Sequence, residues 1–251
     1  MKVYPRLAAM TALMVVMLSG TAQAVQTTAS DSLDPVINAI KQQFAKKLGV
    51  RFTAKTRDRT VGILNTMTSH GTYRFSASGV HSSDTTEINQ GDGSRFRWIN
   101  VGRASYTQDS KYDSLPKGKE WRSWRNATGF LWSDKLIDGM NPGFLTLAAS
   151  QDHVTSDGGI IQGTTTVAGL EVTKAGVRFI TENDGFTGGT IAWRLWVGPD
   201  HLPLRFNATI TWDNEPGGRD EGFDYVKTNK LYREWGSTFT IKAPPKRTTV
   251  N

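Results

Sequence analysis

From Leu204 to Trp212 every second residue is apolar: Leu204, Phe206, Ala208, Ile210 and Trp212 alternate with Arg205, Asn207, Thr209 and Thr211. A period of two sends successive side chains to opposite faces, so the segment reads as a strand with one dry and one wet face. That pattern belongs to an antiparallel sheet packed on one side. The same texture of short alternating runs, broken by Gly, Asn and Asp, begins near Thr72. It predicts strands over 72–78, 95–101, 103–108, 177–181, 191–197, 204–212, 223–226 and 238–242.

Helical periodicity is confined to a few places. Asp34 followed by Pro35 offers a capping acceptor and a first-turn proline, so a helix is expected to start there. Val36, Ile37, Ile40, Phe44 and Leu48 then recur at steps of three and four, with Gly49 as the stop. The run Val61, Gly62, Ile63, Leu64 and Met67 fits a helical turn or the lead into a strand, and the helix is preferred. Leu131 to Leu136 and Phe144 to Ala149 are further helix candidates, the latter announced by Asn141, Pro142 and Gly143.

With 37% hydrophobic and 21% charged residues over 251 positions, the chain can build a real core. It has no Cys, which excludes disulfides, thiolate metal sites, a cysteine nucleophile and a lipidated cysteine. Residues 1–24 read as a secretory signal peptide: Lys2 and Arg6, an apolar stretch from Leu7 to Leu18, and a small-residue close at Ala22, Gln23 and Ala24. The stretch is shorter than the ~20 residues a membrane-spanning helix needs. Residues 25–251 are then expected to be a single α+β domain outside the cytoplasm, not integral to the membrane, with 243–251 as a basic polar tail. The net charge of +7 favours acidic partners, and export argues against nucleic acid.

Catalytic motifs are weak. Ser114 and Lys117 match the S-x-x-K of penicillin-recognising enzymes, with Ser133 to Lys135 and Lys227 to Asn229 in a superficially suitable order. Pro116 between the pair breaks the helix that this chemistry requires, so a polar turn is expected instead. His70, His81, His153 and His201 are too dispersed for a local metal pair and read as loop or edge side chains; no metal or cofactor is expected. The acids from Asp213 to Glu221 read as a solvated hairpin tip. Trp121, Trp124 and Trp132 among Lys117, Lys119, Arg122 and Arg125 resemble a basic, aromatic surface that stacks bases or sits at a membrane interface, and strand packing with solubilising charge explains the same residues.

Several stretches in order carry a resemblance. These are Val101 and Gly102 with Tyr106; Leu115 to Trp121; Asn141 and Pro142 leading into Leu145 and Leu147; Val197 to Arg205; and Tyr232 to Gly236, closing on Ala243, Pro244 and Pro245. Together they resemble the LolA-like and LprG-like family of bacterial envelope proteins. The resemblance implies a curved antiparallel half-barrel wrapped over a few helices, with an apolar, lipid-sized cavity between them. It brings no shared catalytic motif, so fold likeness does not deliver a function.

The expectation is therefore a non-enzymatic binder of a hydrophobic ligand, lipid acyl chains or a lipidated envelope component, lined by Phe144, Leu147, Trp193, Leu195, Phe206 and Ile210. Lys117, Lys119 and Arg122 are candidates for meeting an anionic head group at the rim. The alternative is an envelope interaction module with a protein partner and a filled core. Alternation alone fits a filled core and a cavity equally.

Overall fold

The computed structural model describes residues 29–60, 63–109, 115–125, 138–150, 154–166, 186–214 and 223–250. Helix α1 (Ala29–Ala45) leads into the meander β1 (Gly49–Thr60), β2 (Ile63–Ser76), β3 (Gly79–Asn89), β4 (Arg95–Val101), β5 (Ala104–Asp109) and β6 (Trp121–Arg125). Helix α2 (Pro142–Ala149) follows, then β7 (Val154–Asp157), β8 (Ile160–Thr166), β9 (Phe186–Val197), β10 (Pro203–Asn214), β11 (Phe223–Ser237) and a short β12 (Thr249–Val250). All belong to one curved, unclosed sheet in the order β12-β6-β5-β4-β3-β2-β1-β11-β10-β9-β8-β7. Two meanders are joined where β1 pairs with β11, and every pairing is antiparallel except β12 with β6. The expected α+β class with a half-barrel sheet is the observed one.

One face of this sheet holds the helices. Leu33, Val36, Ile37, Ile40 and Phe44 of α1 share a single core with Val50, Phe52, Tyr73 and Phe75, and with Phe144, Leu145 and Ala148 of α2. Ile191, Trp193, Leu195, Phe206, Ala208 and Ile210 complete it from β9 and β10. The strands alternate accordingly: in β1, Phe52 is buried while Arg51, Thr53, Lys55 and Arg57 are exposed.

Several expectations need correcting. Helix α1 begins at Ala29, upstream of the Asp34 cap, and Pro35 lies inside it. Leu33 is fully buried, so the extra turn is held by core packing despite the hydrogen bond that Pro35 cannot donate. The chain leaves the helix through Lys47, whose φ is 55°, and Gly49 opens β1 instead of stopping the helix. A Cβ at Gly49 would lie 2.4 Å from the Tyr73 carbonyl oxygen, so this glycine serves close strand packing. Ile63 to Met67 is strand, drawn into the ladder that β1 and β2 share from Gly49 opposite Arg74 to Thr60 opposite Ile63. Val61 and Gly62 lie outside the described residues.

Leu204, expected on the dry face, is 48% exposed. The β9–β10 register slips between Pro203 and Arg205, and that bulge turns Leu204 outward before the strict alternation resumes. Residues 238–242 form no strand, because β11 ends at Ser237 and the chain beyond it joins no ladder until β12. The polar tail is tied down: Thr249 and Val250 pair with Trp121 and Arg122, and the Lys119 ammonium donates to the carbonyls of Arg247 and Thr249, each at 3.0 Å. His70 and His81 are exposed on the interior strands β2 and β3, not in loops or at an edge, and His201 occupies a turn with φ 60°. The expected elements at 131–136 and 177–181, and Ser114, Trp132, Ser133, His153 and Glu215 to Glu221, lie outside the described residues.

Candidate functional site

Helix α2 starts as the sequence predicts. Asn141 caps it, its side-chain oxygen accepting from the backbone N–H of Gly143 at 2.9 Å and of Phe144 at 3.4 Å, with Pro142 in the first turn. This fixed start drives the fully buried Phe144 onto β9 and β10. Its ring meets Trp193 edge-on at 6.0 Å and Phe206 edge-on at 5.8 Å. The Trp193 indole N–H is satisfied by the Thr165 hydroxyl at 3.2 Å. Leu195 and Phe206 are fully buried, Ile210 is 9% exposed, and Leu147 packs against the cluster from α2. Five of the six residues proposed as a lining thus belong to one buried cluster, and Leu147 packs against it.

The rim candidates sit elsewhere. Lys117 lies in an exposed turn closed by the Lys119 N–H on the Pro116 carbonyl, the polar turn expected there. Lys119 is committed to the tail carbonyls, and Arg122 is on β6. In the order of the sheet, β5, β4, β3, β2, β1 and β11 separate β6 from β10. The Lys227 to Asn229 stretch lies within β11, a strand paired on both sides.

Under α2 lies a charged cluster that the motif reading did not single out. Asp138 is 1% exposed and Lys230, on the inner face of β11, is 6% exposed; the two form a short ion pair. Asp138 also accepts from the Tyr232 hydroxyl and, at 3.0 Å, from the Met140 backbone N–H. The Lys230 ammonium reaches the Tyr73 hydroxyl at 3.3 Å and lies 4.4 Å from the Phe52 ring centroid and 5.0 Å from that of Tyr73. Desolvation, reinforced by the charge of Asp138, pushes the Tyr232 phenol well above its ordinary range. Every strong acceptor and donor here has a partner, so the cluster ties the start of α2 to the sheet. Gly139 is part of that tie: a Cβ there would lie 2.7 Å from Leu195 Cδ1 and 2.9 Å from Phe206 Cβ. A lysine at an inward-facing strand position, between Thr228 and Tyr232, was the sequence signal for this pair.

The inner face changes character toward β3, β4 and β5, where Ser83, Thr85, Asn100 and Ser105 are buried. Asn100 donates to Ser83 at 2.8 Å, while Thr85 Oγ1, Asn100 Oδ1 and Ser105 Oγ have no hydrogen-bond partner among the described residues.

The opposite face of the sheet carries a groove of about 450 Å³ across β8, β9 and β10, lined by Gln162, Thr164, Ala192, Arg194, Asn207 and Thr209. Its donors are braced. Arg194 Nε donates to Gln162 at 2.7 Å, and Arg205 Nε donates to Asn229 at 3.0 Å. Both guanidinium groups flank Trp196, at 5.7 and 4.8 Å from its ring centroid. Such a surface can bind carboxylate, phosphate or hydroxyl oxygens. Among the described residues no group of three His, Asp or Glu suits a metal ion, and no helix is long and apolar enough to cross a membrane.

No family model matches this chain, and no curated protein does. Among solved structures, LprF from Mycobacterium bovis is similar at 13% identity and a TM-score of 0.45, over 86% of this chain and 96% of that one. A putative outer membrane lipoprotein-sorting protein domain from Vibrio parahaemolyticus is similar at 9% identity and 0.30, over 82% and 92% of the two chains. The Pseudomonas aeruginosa MucA/MucB complex contains a chain similar at 14% identity and 0.30, of which 59% is covered by 87% of this chain. The resemblance drawn from sequence points to the same kinds of protein as the first two.

Proposed function

We propose that the protein is an extracytoplasmic, non-catalytic binding module that works through the outer face of its sheet and takes an acidic partner there. The observation that carries this reading is the contrast between the two faces. On the inner face, Phe144, Leu195 and Phe206 are fully buried, and the Phe144 ring meets Phe206 edge-on. On the outer face a groove of about 450 Å³ presents Arg194, Gln162 and Asn207. Of the two functions that the sequence leaves open, a filled interior favours the interaction module.

The acyl-chain carrier keeps one specific support. Thr85, Asn100 and Ser105 are buried with an oxygen each that has no partner among the described residues, and such groups are costly unless water or the polar head of a lipid, which an acyl chain alone cannot replace, satisfies them. A fluorescent fatty-acyl probe titrated into wild type and into Phe206→Ala separates the readings. A filled core predicts no saturable probe binding to wild type and a stability loss of about 3–5 kcal/mol in the variant. Saturable binding to wild type that Phe206→Ala abolishes without lowering the urea midpoint overturns the module in favour of the carrier.

A further inference from the structure

The ladder registers align the outer face strand by strand. Leu64, Arg59 and Tyr225 are direct neighbours across β2, β1 and β11; Thr66, Arg57, Lys227 and Thr209 form the next row into β10. Thr68, Lys55, Asn229, Asn207 and Arg194 form the row after that, into β9. Lys55, Arg57, Arg59, Arg194, Arg205 and Lys227 therefore project from one side of adjoining strands. From β2 to β9 these rows contain no acid among the described residues. Outward acids beyond these rows, among the described residues, are Glu234 on β11, ion-paired with Arg51 at 2.8 Å, Asp84 on β3, ion-paired with Arg97, and Asp157 on β7 at the far edge. The helices are on the opposite face; the segment after β11 reaches this one at Gly49 and Arg51, through Phe239, outside the rows above.

The cations are accompanied by exposed apolar groups at one end. Ile63 is 66% exposed and Leu64 57%, at the tip formed by the end of β1 and the start of β2, where Thr60 lies opposite Ile63, and Leu64 shares its row with Arg59 and Tyr225. A large aliphatic side chain left in water beside a basic surface matches the interfacial region of a membrane. There the cations meet phosphate groups and the apolar tip enters the acyl boundary. An acidic polypeptide or free polyanion would use the charges and leave the tip idle. The groove residues Arg194 and Asn207 continue the same surface, where hydrogen-bond donors suit phosphate and glycerol oxygens.

We propose that the outer face from β2 to β9 docks on an anionic phospholipid surface, with the β1–β2 tip inserted and the arginines and lysines on the phosphates. This rests on the outer-face reading above and names the acidic partner. Each cation close to an anionic leaflet is worth about a fivefold change in partitioning, so the surface binds measurably and salt-sensitively even though each contact is weak.

The test is co-sedimentation of the full chain with vesicles of phosphatidylcholine alone and with about 30 mol% phosphatidylglycerol, read at low salt and at about 0.5 M salt. Binding is expected to the mixed vesicles, at least about tenfold weaker to the neutral ones, and lost at high salt. The double variant Arg57→Glu, Lys227→Glu should reduce it at least about tenfold. Leu64→Ser should weaken vesicle binding several-fold and leave retention on immobilised heparin unchanged. Equal binding to both vesicle types, full binding by the double variant, or heparin retention with no vesicle binding overturns the proposal, the last in favour of a soluble acidic partner. Circular dichroism of each variant confirms that these exposed changes leave the fold intact, and Lys55→Glu is the substitute if one does not fold. The acyl-probe titration reads the interior and not this face, so its failure is separable from a failure here.

Discussion

Replacing Lys230 by methionine keeps much of its length and apolar stem but leaves the Asp138 carboxylate charged and buried without its cation. Asp138 would retain the Tyr232 hydroxyl and the Met140 N–H as donors. Those dipoles do not replace a full charge at 1% exposure. Breaking a buried pair from one side costs about 3–5 kcal/mol, a large share of the ~5–15 kcal/mol that holds a domain together. Asp138→Asn should cost a similar amount for the opposite reason. One amide oxygen must serve the Lys230 ammonium, the Tyr232 hydroxyl and the Met140 N–H, so a donor is forced against a donor. The double variant has no charge left to strand and should be more stable than either single variant, because an ion pair replaced by neutral groups is often close to neutral in cost. Urea unfolding followed by tryptophan fluorescence gives the four stabilities. Single variants within about 1 kcal/mol of wild type, or a double variant at the sum of the two losses, would refute the buried pair as the tie between α2 and the sheet.

Tyr232 gives a pH signature: its raised folded pKa leaves stability intact below the ordinary tyrosine range near 10, and stability then falls as pH rises, because the unfolded phenol ionises first. One such group steepens the loss by about 1.4 kcal/mol per pH unit, so Tyr232→Phe should show a shallower decline between about pH 10 and 11 in urea titrations. An unchanged slope would mean the phenol ionises freely in the fold. Gly139→Ala should lower stability by about 1–3 kcal/mol and depress the melting temperature, since the new methyl meets Leu195 and Phe206 in a closed core. A variant that melts with wild type would show that the turn before α2 is not pressed against β9 and β10.

Local periodicity carried the elements whose signal is written in neighbouring residues. The alternation through Phe206, Ala208 and Ile210 gave the strand and its buried face, and Asn141 with Pro142 gave the start of α2, because a strand pleat and a helix cap depend on a few adjacent side chains. Where the residues are small or polar, as in β1 and β3, the same periodicity is faint, and those strands exist through the ladders on either side of them. Leu204 shows the limit from the other direction: its place in the alternation was correct, and a one-residue register slip sent it outward.

The candidate lining was legible as apolar, but whether apolar side chains enclose space or fill it depends on how α2 is set against β9 and β10. Asp138 and Lys230, 92 positions apart, carry no mark of each other in the chain. The sequence determined a net charge of +7, an antiparallel sheet with one dry face, and helices to cover it. Only the tertiary structure decided that β1 joins β11. That pairing sets the cations of β1 beside those of β11 and β10 while the helices occupy the other side, because charge becomes a surface property once distant strands share a face.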